Sequence, residues 1–369
     1  MNERYALSLV LNAHVPFVRE PEYPRFFEER WFFDTILETY LPLILVFERL
    51  DTERIPFHLS IAFSPILAHM MQDPLLIERF LEYLDERIVF GLSEVDRTKD
   101  NPDMNRLARF YYDRVVEAKA LITGRYEYNL LKVFEFYQKK GKLELLTTAA
   151  TYAFLPFYTG YPENLQAQLE VALSSHRSLF GRQPYGFWLP EAGWHPELDA
   201  ILRSYNFTYT IVDSHGLLLG KPTPKKGTFS PVLSPNGLVI FGRDFHATKG
   251  IWHSECGYPA DPVYRDFYRD VGYDLDQEFI TAFLDNDGRR TPTGYKYWAI
   301  TGKGQEKQLY NLEQALIKVR HHARSFLDDR CRAFREAERL TGEKGHILCA
   351  YNADLFGHRW FEGPIFLEA

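Results

Sequence analysis

Short apolar segments alternate with longer amphipathic segments along most of the 369-residue chain. The apolar segments predict buried strands at 5–13, 56–62, 143–148, 185–190, 207–213, 237–244 and 346–356. Helical spacing of apolar residues predicts helices at 28–50, 64–91, 162–180, 196–205 and 306–341, the first of them bent near Pro42. This alternation favours parallel βαβ units, and seven or so such units suit a closed α/β barrel better than an open sheet.

Two segments depart from this alternation. Residues 94–140 form a long charged stretch with helical periodicity, which predicts an inserted helical segment. Residues 249–295 are rich in turn-forming and aromatic residues, which predicts a loop-rich insertion. With no internal repeat and no linker, we expect residues 1–369 to form one barrel domain with these two insertions. The last ten residues resemble the start of a helix, so we expect a further C-terminal helical region to be largely absent from the chain.

Composition narrows the classes of partner. The formal net charge is −7, which argues against nucleic acid, because phosphate binding needs a basic face. Aromatic residues make up 16%, which fits either a cleft that stacks on sugar rings or a large aromatic core. No apolar segment is long enough to span a membrane, and the N-terminus does not resemble a signal peptide. The three cysteines have no metal-ligand spacing, so we expect a cytoplasmic protein without metal or cofactor.

Polar residues cluster where the predicted strands end, which is where parallel barrels place their chemistry. Glu191 directly follows the strand that contains Trp188, a position that suits a glycosidase nucleophile or acid, although an exposed loop glutamate would look the same. His14 and His215 fit either sugar-binding or purely structural histidines. Asn352 and Asp354 end the last predicted strand, and alternation along a strand would turn both toward the mouth of the barrel.

Several short motifs occur in a fixed order along the chain. They are His14-Val15-Pro16, Glu144 with residues 147–156, Trp188-Leu189-Pro190-Glu191 and Leu355-Phe356-Gly357-His358, together with residues 38–42 and 252–270. Each motif alone is weak, but their order and spacing resemble glycoside hydrolase family 57. The segments 38–42 and 252–270 are similar to its branching-enzyme and AmyC-type α-amylase branch.

The resemblance implies a fold and a chemistry. Members of this family have a (β/α)7 barrel, a distorted TIM-like fold with helical insertions, and they carry a further C-terminal helical domain. They cleave α-1,4-glucosidic bonds with retention, or transfer the cut chain to form an α-1,6 branch, and they need no metal. A glutamate is the nucleophile, and Glu191 occupies its position. The implied partner is an α-1,4-glucan such as amylose, glycogen or a maltooligosaccharide, with no nucleic acid and no membrane; the oligomeric state is not indicated.

The same resemblance suggests residues that bind the glucan. His14 and Trp188 would hold the sugar at the cleavage point, and Asp213 and His215 would bond sugar hydroxyls or orient Glu191. The remaining expected substrate-binding residues, mostly aromatic stacking surfaces, are Trp252, Tyr258, His358, Trp360 and Phe361.

This chain departs from the family pattern at three positions. Asn352 stands where the family has the aspartate that serves as general acid and base, Tyr152 stands where a histidine is usual, and Arg359 replaces a tryptophan. An amide cannot donate and recover a proton as a carboxyl group does.

Three explanations for Asn352 stay open. Catalysis could be impaired, Asp354 could replace the missing acid if the backbone shifts, or the alignment could be wrong by two residues. The alternative function is a non-catalytic α-glucan-binding barrel. A deacetylase-like hydrolase on a related barrel would need a metal triad that the sequence does not show.

Overall fold

Eight strands form one curled sheet in the computed structural model, which describes residues 5–23, 26–285 and 287–369. They are β1 (Ala6–Ala13), β2 (Leu59–Phe63), β3 (Leu143–Thr148), β4 (Gly186–Trp188), β5 (Tyr209–Val212), β6 (Val232–Leu233), β7 (Val239–Gly242) and β8 (His346–Asn352). Their order is β6-β7-β5-β4-β3-β2-β1-β8, and all neighbours are parallel except the pair β6 and β7.

The sheet closes on itself between β7 and β8. Arg243, just past β7, forms a parallel bridge with Leu348, and the next amide, Asp244 N–H, donates to the Leu348 carbonyl at 2.8 Å. Seven parallel strands therefore surround a common interior, with β6 as a short antiparallel addition. The predicted (β/α)7 barrel is confirmed.

The helices of the described ranges surround this ring. They are α1 (Phe27–Thr35), α2 (Leu41–Thr52), α3 (Pro65–Met70), α4 (Pro74–Arg97), α5 (Pro102–Ala120), α6 (Leu131–Lys139), α7 (Pro162–Phe180), α8 (Glu197–Ser204), α9 (Ser214–Leu218), α10 (Phe245–Trp252), α11 (Val271–Asp274), α12 (Leu312–Thr341) and α13 (Gly363–Glu368). None of them combines the length and apolar character that crossing a membrane requires.

Strand alternation divides the apolar residues into inner and outer cores. A small interior cluster takes side chains from six of the ring strands: Val10, Ala62, Leu146, Trp188, Ile211, Leu348 and Ala350. Residues that alternate with these, such as Leu11 and Leu145, pack outward against the helices. The interior is thus filled below the strand ends, which leaves the mouth of the barrel as the open face.

A buried charge network joins distant segments beside that mouth. It consists of Asp34, Glu38, Arg87, Arg265 and His358. Arg87 pairs with Asp34 at 2.8 Å, and Glu38 contacts both Arg265 at 3.2 Å and His358 Nδ1 at 3.1 Å. The network therefore ties α1, α4, the insertion at 249–295 and the loop after β8 to one another.

Candidate active-site cleft

Glu191 lies in a tight turn immediately beyond β4. Pro190, Glu191 and Ala192 form a single 3-10 turn, in which Glu191 has φ 55° and Ala192 has φ 53°. Non-glycine residues rarely adopt this left-handed conformation, and such strain concentrates at functional sites. The turn leaves the Glu191 side chain exposed at the mouth of the barrel.

A cleft of about 200 Å³ opens beside this glutamate. Its walls are formed by residues of β4, β8 and α10 and of the turns that follow β3, β4 and β7: Tyr152, Trp188, Glu191, Ala192, Arg243, Thr248, Trp252, Ala350, Tyr351 and Asn352. Four of these ten residues are aromatic, and Trp252 remains 52% exposed. Aromatic faces beside polar hydrogen-bonding groups are the surfaces that sugar rings need.

Hydrogen bonds among neutral side chains form the floor of the cleft. The parallel register of β1 and β8 places Asn12 beside Asn352. Asn12 Nδ2 donates to the Tyr152 hydroxyl at 2.7 Å and to Asn352 Oδ1 at 3.3 Å, and Trp188 Nε1 donates to the same hydroxyl at 3.3 Å. The residue in the acid position is therefore held by an amide donor.

His14 packs under this floor as a neutral ring. Its imidazole stacks on the Tyr152 ring with centroids 3.6 Å apart and planes 7° from parallel, and its Nδ1 lies 3.0 Å from Ser64 Oγ. Burial lowers the pKa of His14 to about 4, so the ring is uncharged near neutral pH. His14 is not among the residues that line the cleft, so its contact with the site is the stack on Tyr152.

Asp213 and Arg243 form an ion pair on the other side of the cleft. Asp213 Oδ2 accepts from Arg243 at 2.7 Å, and Oδ1 caps α9 through the Ser214 amide. Partial burial acts to raise the pKa of Asp213, but Arg243 and the Ser214 amide outweigh it and hold that pKa below its ordinary value. Asp213 therefore fixes Arg243, which is the residue that lines the cleft.

A comparison with family models settles the class of the barrel. The model of glycosyl hydrolase family 57 matches residues 8–312. The chain belongs to this family. The match covers β1 from Ser8 onward and every other strand of the ring except β8, and it includes Glu191, His14 and Tyr152.

Similarity to individual proteins supports the assignment of this chain to family 57. A 1,4-alpha-glucan branching enzyme of Thermococcus kodakarensis is 29% identical over 97% of the chain, which spans only 54% of that enzyme. The solved structure of the alpha-amylase AmyC from Thermotoga maritima superimposes with a TM-score of 0.94 at 36% identity, covering 99% of this chain and 70% of AmyC. A family 57 branching enzyme of Pyrococcus horikoshii gives a TM-score of 0.83 at 27% identity, covering 99% of this chain and 66% of that one. The chain thus spans between 54% and 70% of the length of these relatives.

Four residues expected to bind glucan lie elsewhere in this family 57 barrel. Trp360 and Phe361 are only 2% and 8% exposed and belong to the outer core. The Tyr258 hydroxyl bonds Asp329 of α12 at 3.3 Å, and His358 contacts Glu38 in the buried charge network. The cleft walls include none of them, because tertiary packing buries Trp360 and Phe361 and engages Tyr258 and His358 with partners elsewhere.

His215 takes a different position again. Its side chain is exposed in the first turn of α9, while its neighbour Asp213 is engaged with Arg243. The structure gives His215 no place in the cleft wall. Trp188 and Trp252, by contrast, both line the cleft, as the resemblance implied.

Asp354 does not share a strand face with Asn352. Strand β8 ends at Asn352, and residues 353–355 form a 3-10 turn, so strand alternation does not extend to Asp354. Its carboxylate is buried and pairs with Arg359 at 3.1 Å, outside the cleft wall. The shared-face prediction is wrong because the strand ends at Asn352, four residues before the end that the sequence pattern predicted.

Sequence reasoning missed Asn12 as a member of the site. A buried amide inside an apolar strand was the available signal, since such a group needs a hydrogen-bond partner at the same level of the sheet. Tyr351 and Thr248 also line the cleft without any motif to mark them. Within the described ranges, no group of three or more His, Cys, Asp or Glu residues is arranged to hold a metal ion.

Proposed function

We propose that this chain acts on α-1,4-glucans in the cleft, with Glu191 as the nucleophile of a retaining double displacement. The observation that carries the proposal is the exposed Glu191 carboxylate, held in a strained turn on a cleft that Trp188 and Trp252 also line. The names of the relatives, branching enzymes and an α-amylase, support the same class of substrate. A branching enzyme of Thermococcus kodakaraensis has been solved in complex with glucose, which supports a sugar site on this barrel.

In the first step, Glu191 attacks the anomeric carbon while the bond to the leaving oxygen breaks, which forms a covalent glycosyl ester. Trp188 and Trp252 supply apolar faces for the sugar rings, and Arg243 offers fixed donors to sugar hydroxyls. Water then completes hydrolysis, or the 6-hydroxyl of a glucan completes a branch.

Asn352 determines the rate that we expect for the cleavage of natural glucans. Assistance from a general acid is typically worth about 10²–10⁴-fold, and Asn352 supplies none. We therefore propose that natural glucans are cleaved slowly, whereas donors with a leaving group that needs no proton react well. Asp354 is the weaker substitute acid, because it is buried and paired with Arg359.

Covalent labelling tests the nucleophile. The anomeric fluoride of 5-fluoro-α-glucosyl fluoride leaves without protonation, so this donor should esterify Glu191. Peptide mass spectrometry should then locate the added sugar on that residue. Glu191→Gln is the matched control, because it keeps the shape of the side chain and removes the nucleophilic oxygen. Labelling of another residue, or none at all, would overturn the assignment.

A non-catalytic glucan-binding barrel is the second candidate, and Asn352 is the observation that favours it. The Asn352→Asp variant separates the two candidates. If the loss is confined to the acid, this variant should cleave amylose about 10²-fold faster than the unaltered chain, measured by iodine colour and by new reducing ends. A variant that binds maltooligosaccharides with unaltered affinity but stays inactive would favour the binding protein.

A further inference from the structure

The Tyr152 hydroxyl has an unusual set of neighbours. Its oxygen accepts two hydrogen bonds, from Asn12 Nδ2 at 2.7 Å and from Trp188 Nε1 at 3.3 Å. No acceptor for its own proton is found in the part of the chain that the structure describes. The side chain lines the cleft beside Glu191, so that proton faces the space that a substrate would occupy.

Resting on the proposed function, we propose that Tyr152 donates the proton to the leaving oxygen in place of the carboxylic acid that position 352 lacks. One nitrogen, Asn12 Nδ2, contacts both the Tyr152 hydroxyl and Asn352 Oδ1. The phenol is therefore a neighbour of the side chain that stands in the acid position.

The same contacts would stabilise the phenolate that remains after the proton leaves. Two N–H donors aimed at one oxygen favour its charged form, as donors do in an oxyanion hole. The backbone of Tyr152 is held in a strained left-handed conformation, with φ 56°. Stacking on His14 fixes the plane of the ring.

The step balances without any further reagent. The O–H bond of Tyr152 breaks and its proton goes to the glycosidic oxygen, while the bond from that oxygen to the anomeric carbon breaks. The Glu191 carboxylate forms the new bond to that carbon. In the second step, the tyrosinate takes a proton from the incoming water or glucan hydroxyl, which restores the phenol as the glycosyl ester is cleaved.

Three charged or titratable groups face this phenol. The Glu191 carboxylate favours the protonated phenol, Arg243 lies across the cleft, and His14 is neutral near pH 7. Burial raises the pKa of Tyr152 above its ordinary value of 10, and the bonds from Trp188 and Asn12 act to lower it. Tyr152 thus keeps its proton throughout the neutral range, and it remains a weaker acid than a carboxyl group.

Tyr152→Phe is the direct test, because it removes only the oxygen and keeps the stack on His14. We expect at least about a 10²-fold loss in the cleavage of maltooligosaccharides. The initial release of fluoride from α-maltosyl fluoride needs no acid and should change by less than about 3-fold. Added azide, a nucleophile that needs no base, should then restore turnover of the trapped ester and yield α-maltosyl azide. Tyr205→Phe, which loses a hydroxyl bonded to Glu170 on the outside of the barrel, is the matched control.

A pH profile gives a second test and needs no change to Tyr152. A phenolic acid should hold the activity of the unaltered chain on maltooligosaccharides level from neutral pH up to about 10. The Asn352→Asp variant should instead lose activity as the pH rises through the pKa of its new carboxyl group. In the Asn352→Asp variant, the additional change Tyr152→Phe should reduce this activity far less than it does in the unaltered chain.

The outcomes separate this inference from the proposed function. Equal losses on maltooligosaccharides and on initial fluoride release, without rescue by azide, would show that Tyr152 only positions other groups and would overturn the inference. An activity that declines between pH 7 and 9 would overturn it as well. A chain that neither releases fluoride nor becomes labelled at Glu191 would contradict the proposed function itself.

Discussion

Two tryptophans show how far the setting of a single residue decides its role. Trp252 is 52% exposed on the cleft, whereas Trp360 is 2% exposed and packs against Tyr264, Phe356 and Phe366. The sequence offered both as stacking surfaces for sugar. Only the exposed indole can release water to a ligand, while the buried one contributes its area to folding.

Replacing each of these tryptophans by alanine should have opposite consequences. Trp252→Ala should weaken maltooligosaccharide binding about ten-fold, which is ~1.4 kcal/mol, and leave the unfolding free energy nearly unchanged. Trp360→Ala should lower the unfolding free energy by about 3–5 kcal/mol, because it leaves a cavity in the core. Titration calorimetry and denaturant unfolding measure the two quantities. A stable Trp360→Ala protein with impaired binding would restore Trp360 to the site.

For single residues, the sequence predicts where a residue lies in the fold better than which other residues it contacts. The motifs located Glu191, Tyr152 and Asn352, which line one cleft, and His14, which stacks on Tyr152. They could not show that Tyr258 packs against α12, because that contact depends on two segments about 70 residues apart. A side chain's partner across such a separation is set by tertiary packing and not by local pattern.

The loop after β8 shows how one element is fixed against another. Gly357 has φ 125°, and a Cβ atom added there would lie 1.8 Å from the Glu38 carbonyl oxygen. The amide of the next residue, His358, donates to Thr39 Oγ1 at 3.2 Å. The loop therefore rests directly on the backbone of the π-helical turn Ile36–Tyr40 that joins α1 to α2.

Gly357→Ala should separate these two elements. The clash is with backbone, which cannot move aside, and the φ value adds strain, so we expect the unfolding free energy to fall by more than ~3 kcal/mol. Gly160→Ala is the control, since a methyl group there meets no atom within 4 Å. Thermal unfolding of both variants measures the difference. Equal melting temperatures would show that the loop tolerates displacement.

Regular elements were the most predictable part of the fold. Helix α7 (Pro162–Phe180) occupies the predicted range 162–180. Where a bend was predicted near Pro42, the structure has a π-helical turn just before it, with Pro42 in the first turn of α2. The predicted helix 64–91 is divided where Asp73 caps α4, because a proline follows the cap. Most of the predicted strands were too long, and β7 and β8 were each overextended by four residues. For β8 the reason is that an apolar pattern does not distinguish a strand from a buried 3-10 turn.

Across the whole molecule, the buried charge network connects parts that are far apart in the chain. Burial acts to raise the pKa of Glu38, but Arg265 and His358 outweigh it and hold that pKa well below its ordinary value. A carboxylate with a depressed folded pKa stabilises the protein above its ordinary pKa, and this stability is lost as the pH falls toward the folded value. The network should therefore help to keep the insertion at 249–295 in place at neutral pH and release it in acid.

Removing one charged partner from the network should strongly lower the unfolding free energy. Arg265→Met leaves Glu38 charged and buried without its guanidinium, which should lower the unfolding free energy by about 3–5 kcal/mol at pH 7. The double variant Glu38→Gln with Arg265→Met should recover part of this loss. Arg339→Met, which breaks an exposed pair with Glu336, should leave the unfolding free energy nearly unchanged. Denaturant unfolding would contradict the expectation if Arg265→Met and Arg339→Met proved equally stable.

Tyr152, Glu191 and Ala192 all have left-handed backbones at the mouth of the barrel, and each conformation costs about 1–3 kcal/mol. Mutation steadily offers changes that relieve such strain, and a protein under selection for its shape alone would accumulate them. A lineage that had abandoned its ancestral chemistry would be expected to relax these turns early. Three such conformations beside Asn352 are what selection for the function of the cleft, rather than for the stability of the fold alone, would produce.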